Sequence, residues 1–146
     1  MKKMMDLCKE LGLKQTPQRL AILNLIIDKP GTHLSAEDIF SKVKEDFPTI
    51  SQATVYNTLD VLTKKGRLVE ITINPRKKHY ESNLNPHHHV ICTSCGKIGD
   101  VWDEELINNL PASDVGDFEI QGWHINFSGI CKECGLKEGN SYKILS

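Results

Sequence analysis

Two Cys-x-x-Cys pairs, Cys92/Cys95 and Cys131/Cys134, constrain this chain more than any other feature. Each supplies two thiolates about one turn apart, and each runs on into glycine, at Gly96 and Gly135. Four thiolates match the tetrahedral preference of zinc. Just upstream stands Pro86-His87-His88-His89, whose imidazoles at i and i+2 suit a borderline metal such as Fe, Mn, Ni or Zn. A closed sulfur site beside an open nitrogen and oxygen site implies one structural metal and one exchangeable metal, and points toward a metal sensor.

A staple of that kind suits the size of the chain. Its 146 residues, 39% of them hydrophobic, allow one or two small cores. Domains of about 60–80 residues are marginal alone, so a metal or a dimer partner would help. The net charge of −1 gives no sign of a polyanionic partner until the chain is divided. Residues 1–82 carry 14 Lys and Arg against 10 Asp and Glu, a net +4, whereas residues 83–146 carry 4 against 9, a net −5. A basic front and an acidic back suit a protein that touches a polyanion at one end only. The first residues lack the apolar run of a signal peptide, and no stretch approaches the roughly 18 apolar residues of a membrane span. The five cysteines are therefore expected in a reducing cytoplasm, as metal ligands rather than disulfides, with no membrane association. Cys8, far from the pairs, reads as a packed or free thiol.

Along the chain, Met4, Leu7 and Leu11 give a short helical stripe ending at Gly12. Thr16-Pro17 is a helix start, an N-cap followed by proline at the first helical position. Leu20, Leu23 and Ile27 form its stripe, up to the stop at Lys29-Pro30-Gly31. Ser35-Ala36-Glu37-Asp38 resembles a capping box opening a third helix through about residue 46, and Pro48 ends it. Ser51 caps a fourth helix over residues 52–65, closed by Gly66. The period then changes: residues 68–73 read as a strand, 74–77 as a turn and 78–81 as the returning strand. Helices followed by a hairpin are the order of a winged helix-turn-helix domain, here residues 1–82. Residues 83–86 read as a hinge. Beyond it the pattern predicts strands at 89–92 and 98–102, a helix at 103–110, and a strand pair at 118–121 and 125–130.

On the fourth helix Val55, Leu59 and Leu62 fall within one narrow arc and are expected to face the core. Gln52, Tyr56, Asp60 and Thr63 lie to one side of it, with Ala53 and Asn57 further round, the small and hydrogen-bonding set of a major-groove reading helix. Lys64, Lys65, Arg67, Arg76, Lys77 and Lys78 cluster at the helix end and hairpin, where phosphates could be met. The same pattern also describes an ordinary solvated amphipathic helix with charged caps.

Five runs together resemble the ferric uptake regulator family, close to its peroxide-sensing repressor branch. They are Leu13-Lys14-Gln15-Thr16-Pro17-Gln18-Arg19, His33-Leu34-Ser35-Ala36-Glu37-Asp38-Ile39-Phe40, residues 50–59 with Ala53-Thr54-Val55-Tyr56-Asn57, residues 87–97 and residues 129–134. The likeness spans nearly the whole chain in order. It implies an α+β fold, with a winged helix-turn-helix domain followed by an α/β dimerisation domain over residues 87–146. It implies that Cys92, Cys95, Cys131 and Cys134 hold structural zinc. It implies a regulatory Fe(II) or Mn(II) site of His33, Glu81, His87, His89 and Asp100, whose filling fixes the angle between domains and sets two reading helices of a homodimer on a palindromic double-stranded operator. Tyr56 would contact bases and Arg19 the DNA, so the candidate contacts are Arg19, Ser51, Gln52, Ala53, Thr54, Tyr56 and Asn57. His33 and His87 would be the oxidation-sensitive ligands.

The branches differ at the carboxylates, typically two aspartates in peroxide sensors and glutamates in iron sensors. This chain is mixed, with Glu81 and Asp100, which leaves an iron-level sensor as the alternative. A further site found in many iron sensors falls here on His88, Ile107 and Trp123, with His124 one place off. Isoleucine cannot coordinate a metal, so two metals per subunit are expected. His79 and His124 read as non-ligands, and Asp103, Glu104 and Glu105 as an acidic first helical turn. Open histidine and carboxylate ligands also describe a metallohydrolase, and the cysteine pairs a zinc-stapled interaction module. Neither a glycine-rich phosphate loop nor a nucleophile with a paired base is in the sequence, so a regulator without a small-molecule substrate, not an enzyme, is expected.

Overall fold

Local capping decides most of the first half of the chain. A computed structural model describes residues 2–74, 76–109, 115–121 and 123–137. Pro75 of the expected turn, Leu110 of the expected helix and residues 138–146 lie outside the described residues. Those described divide into two compact units, with the boundary between Asn85 and Pro86.

The first unit opens with helices α1 (Lys2–Glu10), α2 (Pro17–Ile26), α3 (Ala36–Asp46) and α4 (Gln52–Lys64). Each helix from α2 to α4 starts on a hydroxyl that satisfies a free backbone N–H: Thr16 accepts from Arg19, Ser35 from Asp38 and Ser51 from Thr54. At Ser35 the box is reciprocal, because Asp38 also accepts from the Ser35 N–H. α4 ends at Gly66, whose φ of +71° is open to glycine without a Cβ clash. That turn lets the Arg67 N–H reach back to the Leu62 carbonyl at 2.8 Å.

Val55, Leu59 and Leu62 are fully buried, as the arc required, and Thr58 joins them by donating its hydroxyl to the Thr54 carbonyl at 2.7 Å. On α2 the buried face is Ile22, Leu23 and Ile26, while Leu20 and Ile27 pack only partly. That helix is apolar on several sides, so period alone does not choose its inward face. Cys8 is a packed free thiol whose pKa burial pushes up, against the pull of Arg19.

A small sheet completes the unit. β2 (Val69–Ile71) and β3 (His79–Glu81) form the hairpin, and β1 (Leu34–Ser35), a strand of two residues that no pattern announces, adds to β3 in the order β1-β3-β2. Its antiparallel register sets Leu34 against Tyr80 and Ser35 against His79.

The second unit holds β4 (His88–Cys92), β5 (Ile98–Val101), a short α5 (Glu104–Asn108), β6 (Asn126–Gly129) and α6 (Lys132–Lys137). Asp103 accepts from the Glu105 N–H and so opens α5. The strand pair expected at 118–121 and 125–130 is not made. Among the described residues Phe118 forms an isolated bridge with Val115, and β6 pairs in parallel with β4 in the order β5-β4-β6. The alternation at Phe118-Glu119-Ile120-Gln121 permits a strand but names no partner, and the β6 backbone is taken by β4.

Candidate metal centres and reading surface

The parallel pairing assembles the sulfur centre. β4 ends on Cys92, opposite Gly129 of β6, and Cys131 follows two residues on. Gly96, at φ +78°, turns the first knuckle so that its N–H reaches the Cys92 carbonyl at 2.9 Å, and the Gly135 N–H repeats this on Cys131 at 2.9 Å. One sulfur of each of Cys92, Cys95, Cys131 and Cys134 lies within 4.8 Å of the others, and Cys95 and Cys131 are 3.8 Å apart. A zinc ion with bonds of about 2.3 Å sets tetrahedral sulfurs roughly 3.8 Å apart, so the cluster fits it.

The thiols are poised as a proton-sharing set. The Cys131 N–H, donated to Cys92 Sγ at 3.3 Å, and the Cys95 N–H pull the Cys92 thiol down to about 6. Contact with the Cys131 thiol pushes Cys134 up to about 12. Sulfurs this close cannot all ionise unless a cation replaces their protons.

The histidine and carboxylate candidates fall on both units. In the first, the β1–β3 register continued one step brings His33 opposite Glu81, and their Nε2 and Oε1 atoms lie 3.4 Å apart. Glu81 is fully buried, and a buried carboxylate needs a cationic or donor partner. His79 belongs to another arrangement: its Nδ1–H donates to the Lys77 carbonyl at 2.9 Å, and burial pushes its pKa down.

In the second unit His89 stands directly across from Asp100 in the β4–β5 ladder. His87, two residues before His89, shares its face, because strand side chains alternate. Both imidazoles converge on one oxygen: Asp100 Oδ1 lies 3.1 Å from His87 Nε2 and 3.6 Å from His89 Nε2. Two nitrogens and a carboxylate oxygen meeting in this way make a mixed nitrogen and oxygen donor set that suits Fe, Mn or Zn. His87 is also flanked by rings, edge-on to His89 at 4.7 Å and stacked on Trp102 at 4.4 Å. Trp102 is a contact that motif reading passes over.

His88 points the other way and is accounted for. Its Nδ1 accepts from the Ile125 N–H at 3.1 Å, so Nε2 carries the proton, and among the described residues Nε2 is buried without an acceptor. A nitrogen engaged in that way and a protonated one leave no lone pair for a metal. His124 is exposed, and the Ile107 side chain is outside the described residues.

Helix α4, expected from the sequence to read DNA, exposes Gln52, Ala53, Tyr56 and Asn57, with Thr54 half-buried and Ser51 exposed at the cap. The Tyr56 hydroxyl donates to Glu37 on α3 at 3.2 Å, and partial desolvation, then this hydrogen bond and the Glu37 charge, raise its pKa. Arg19 is half-buried on α2 and donates through Nη1 to the Lys14 carbonyl at 3.2 Å. Of the expected basic cluster, Lys64 pairs with Asp60, Arg67 with Glu10, Lys77 with Asp38 and Lys78 with Glu70. These pairs are exposed or half-exposed, and such pairs are worth so little that phosphates could displace them.

Comparison with known proteins places the chain among the relatives of metal-responsive regulators by sequence and fold. The pattern of the ferric uptake regulator family matches residues 10–128. The peroxide-responsive repressor PerR of Staphylococcus aureus (strain Mu50) is 38% identical over 128 residues, which is 86% of this chain and 85% of that protein. Among solved structures, the Helicobacter pylori ferric uptake regulator Fur superposes with a TM-score of 0.73 at 24% identity, over 97% of this chain and 93% of its own, a likeness of fold. The ferric uptake regulator of Francisella tularensis, solved with iron, superposes with a TM-score of 0.64 at 28% identity, over 84% and 95%.

Proposed function

The chain belongs to the ferric uptake regulator family, and we propose that it is a metal-dependent transcriptional repressor released by peroxide. Repressors of this family bind DNA as dimers. For this chain the partner is a palindromic double-stranded operator, bound by a homodimer in the cytoplasm, and among the described residues no helix is long and apolar enough to cross a membrane. The first unit serves as the DNA-binding domain and the second as the dimerisation domain, with Cys92, Cys95, Cys131 and Cys134 holding structural zinc.

The observation that carries the reading is the convergence of His87 and His89 on Asp100, with His33 and Glu81 paired in the other unit. Three ligands and two ligands are each too few to fill the coordination of Fe(II) or Mn(II). One ion taking all five adds free energy only to the arrangement in which the units meet at it, and so selects a single spacing of the reading helices. Tyr56, with Gln52, Ala53, Thr54 and Asn57, then faces base edges, while Ser51 and Arg19 lie toward the backbone.

Fe(II), held by His33, Glu81, His87, His89 and Asp100, would supply one-electron chemistry toward peroxide. The protein's part is to present His33 and His87 as oxidisable ligands. An oxidised imidazole holds metal poorly, so the units part and DNA is released. The Staphylococcus aureus relative, named as peroxide-responsive, supports this branch despite the mixed Glu81/Asp100 pair.

Gel shifts on a palindromic promoter with and without Mn(II), for the parent and for Asp100→Ala, test the reading. Metal-dependent binding that Asp100→Ala loses while keeping its zinc is expected. Binding that ignores Mn(II) and responds only to salt would overturn it. Peptide mass spectrometry after peroxide is expected to place one added oxygen on His33 or His87 in the Fe(II) form and none in the Mn(II) form. No added oxygen on either would leave an iron-level sensor.

A further inference from the structure

The β4–β5 register does more than align His89 with Asp100. His88 pairs with Val101, so one step further out His87 stands opposite Trp102. Alternation then puts His87, His89, Asp100 and Trp102 on one face of the ribbon. The rings of His87 and Trp102 stack with centroids 4.4 Å apart and planes 21° from parallel. The His87 side chain keeps only 4% of its surface open, whereas Trp102 is 56% exposed. One indole face therefore lies on the imidazole. The backbone on either side is fixed, by β5 before Trp102 and by the Asp103 cap of α5 after it.

Trp102 makes a specific contact rather than merely standing at the surface. Here it holds the plane of a ring whose Nε2 is aimed at Asp100. It also has an electronic preference. An imidazole that gives its lone pair to a divalent cation becomes electron-poor, and the face of an indole is electron-rich, so the stack is stronger when the ring is metal-bound. A contact that favours the loaded form tightens loading by the same factor.

We propose that Trp102 is a positioning residue for the exchangeable metal, stacking on His87 to fix its ring and favour its metal-bound state. This rests on the reading of His87 as a ligand. The residue touches a ligand, not the ion, and no canonical ligand type would point to it.

The chain has two tryptophans, so Trp123→Phe leaves Trp102 as the single indole. Titrating that zinc-loaded, full-length variant with Mn(II) is expected to quench its emission saturably, at one Mn(II) per chain. In otherwise parental protein, Trp102→Ala is expected to weaken Mn(II) binding on the order of tenfold, as lost outer-shell partners do. Trp102→Phe, which keeps a stacking face, should recover most of that loss, and zinc content should be unchanged in both. An alanine variant within twofold of the parent, a phenylalanine variant as weak as alanine, or emission indifferent to Mn(II) would each overturn the proposal. If the zinc-loaded parent takes up no Mn(II), or His87→Ala takes it up as well as the parent, the metal-site reading itself falls and this inference with it. Those two results are separable from the Trp102 arms.

Discussion

In the first unit a single apolar cluster runs from Met4 to Tyr80, and Ile22, Leu23, Ile26, Ile39, Val55, Leu59 and Leu62 have no exposed surface. In the second, among the described residues, Cys92 and Ile98 are the only buried hydrophobics, while Trp102, Val115, Phe118, Trp123, Ile130 and Leu136 are exposed. Fully burying one such aliphatic side chain is worth about 1.5–3 kcal/mol, so the first unit has a store of apolar free energy that the second lacks. The second buries little apolar surface among its described residues, and the four-sulfur centre is the staple available to it. The comparison separates two ways of being stable: side-chain packing, which is always present, and metal ligation, which exists only while an ion is bound.

The severest way to break that comparison is Cys131→Ser. Cys131 gives a sulfur to the centre and its N–H to Cys92. Apparent binding free energies of structural zinc in small domains reach about 10–16 kcal/mol, and in this unit that term has little else behind it. The variant is expected to lose its zinc and the cooperative unfolding of the second unit, while the first unit keeps its own transition. Elemental analysis with thermal unfolding by circular dichroism reads both. A variant that keeps one tight zinc and both transitions would show that the staple is not the sulfur set.

The reciprocal experiment is Leu59→Ala, at a site with no exposed surface. The lost contacts and the residual cavity are expected to cost the first unit about 3 kcal/mol. Urea unfolding followed in that unit should show it, with zinc content untouched. A loss shared equally by both transitions would mean that the two units do not unfold separately.

What the sequence made legible divides along the same line. Capping residues act within three or four positions, so Thr16, Ser35, Ser51 and Gly66 could be read directly. Cysteine spacing is equally local, and the four sulfurs were nameable before any fold was known. Partner choice is not local. Nothing in residues 118–130 says that β6 will add in parallel to β4, and two residues, Leu34 and Ser35, are too few to carry a period. The stack of Trp102 on His87 follows from register, which becomes visible only once β4 and β5 are aligned. The basic cluster was legible as charge, but its pairing with Asp60, Glu10, Asp38 and Glu70 was not.

The smallest effects come from the cap that begins α3, and they sharpen the contrast by leaving the metal alone. Ser35→Ala removes the acceptor for the Asp38 N–H at 3.0 Å and is expected to cost the first unit about 1 kcal/mol. Asp38→Asn tests the other half of the box through pH. Burial pushes the Asp38 carboxyl up, but the side-chain and backbone hydrogen bonds of Ser35, aided by Lys77, outweigh it and hold its pKa below the ordinary 3.8. A carboxyl lowered by folding contributes stability that is complete above its unfolded pKa and is lost as pH falls through its folded one. The parent's advantage over Asp38→Asn in the urea midpoint of the first unit is therefore expected to be full at neutral pH and to close below about pH 4. Its size should stay under that of the Ser35 cap, because the carboxylate is half in water and screened. Acid also protonates the thiols and releases zinc, but it does so equally in parent and variant. The difference between the two proteins thus isolates a packed unit's electrostatics from a ligated unit's loss of its ion. A difference that grew toward low pH would reverse the sign and remove Asp38 from the cap.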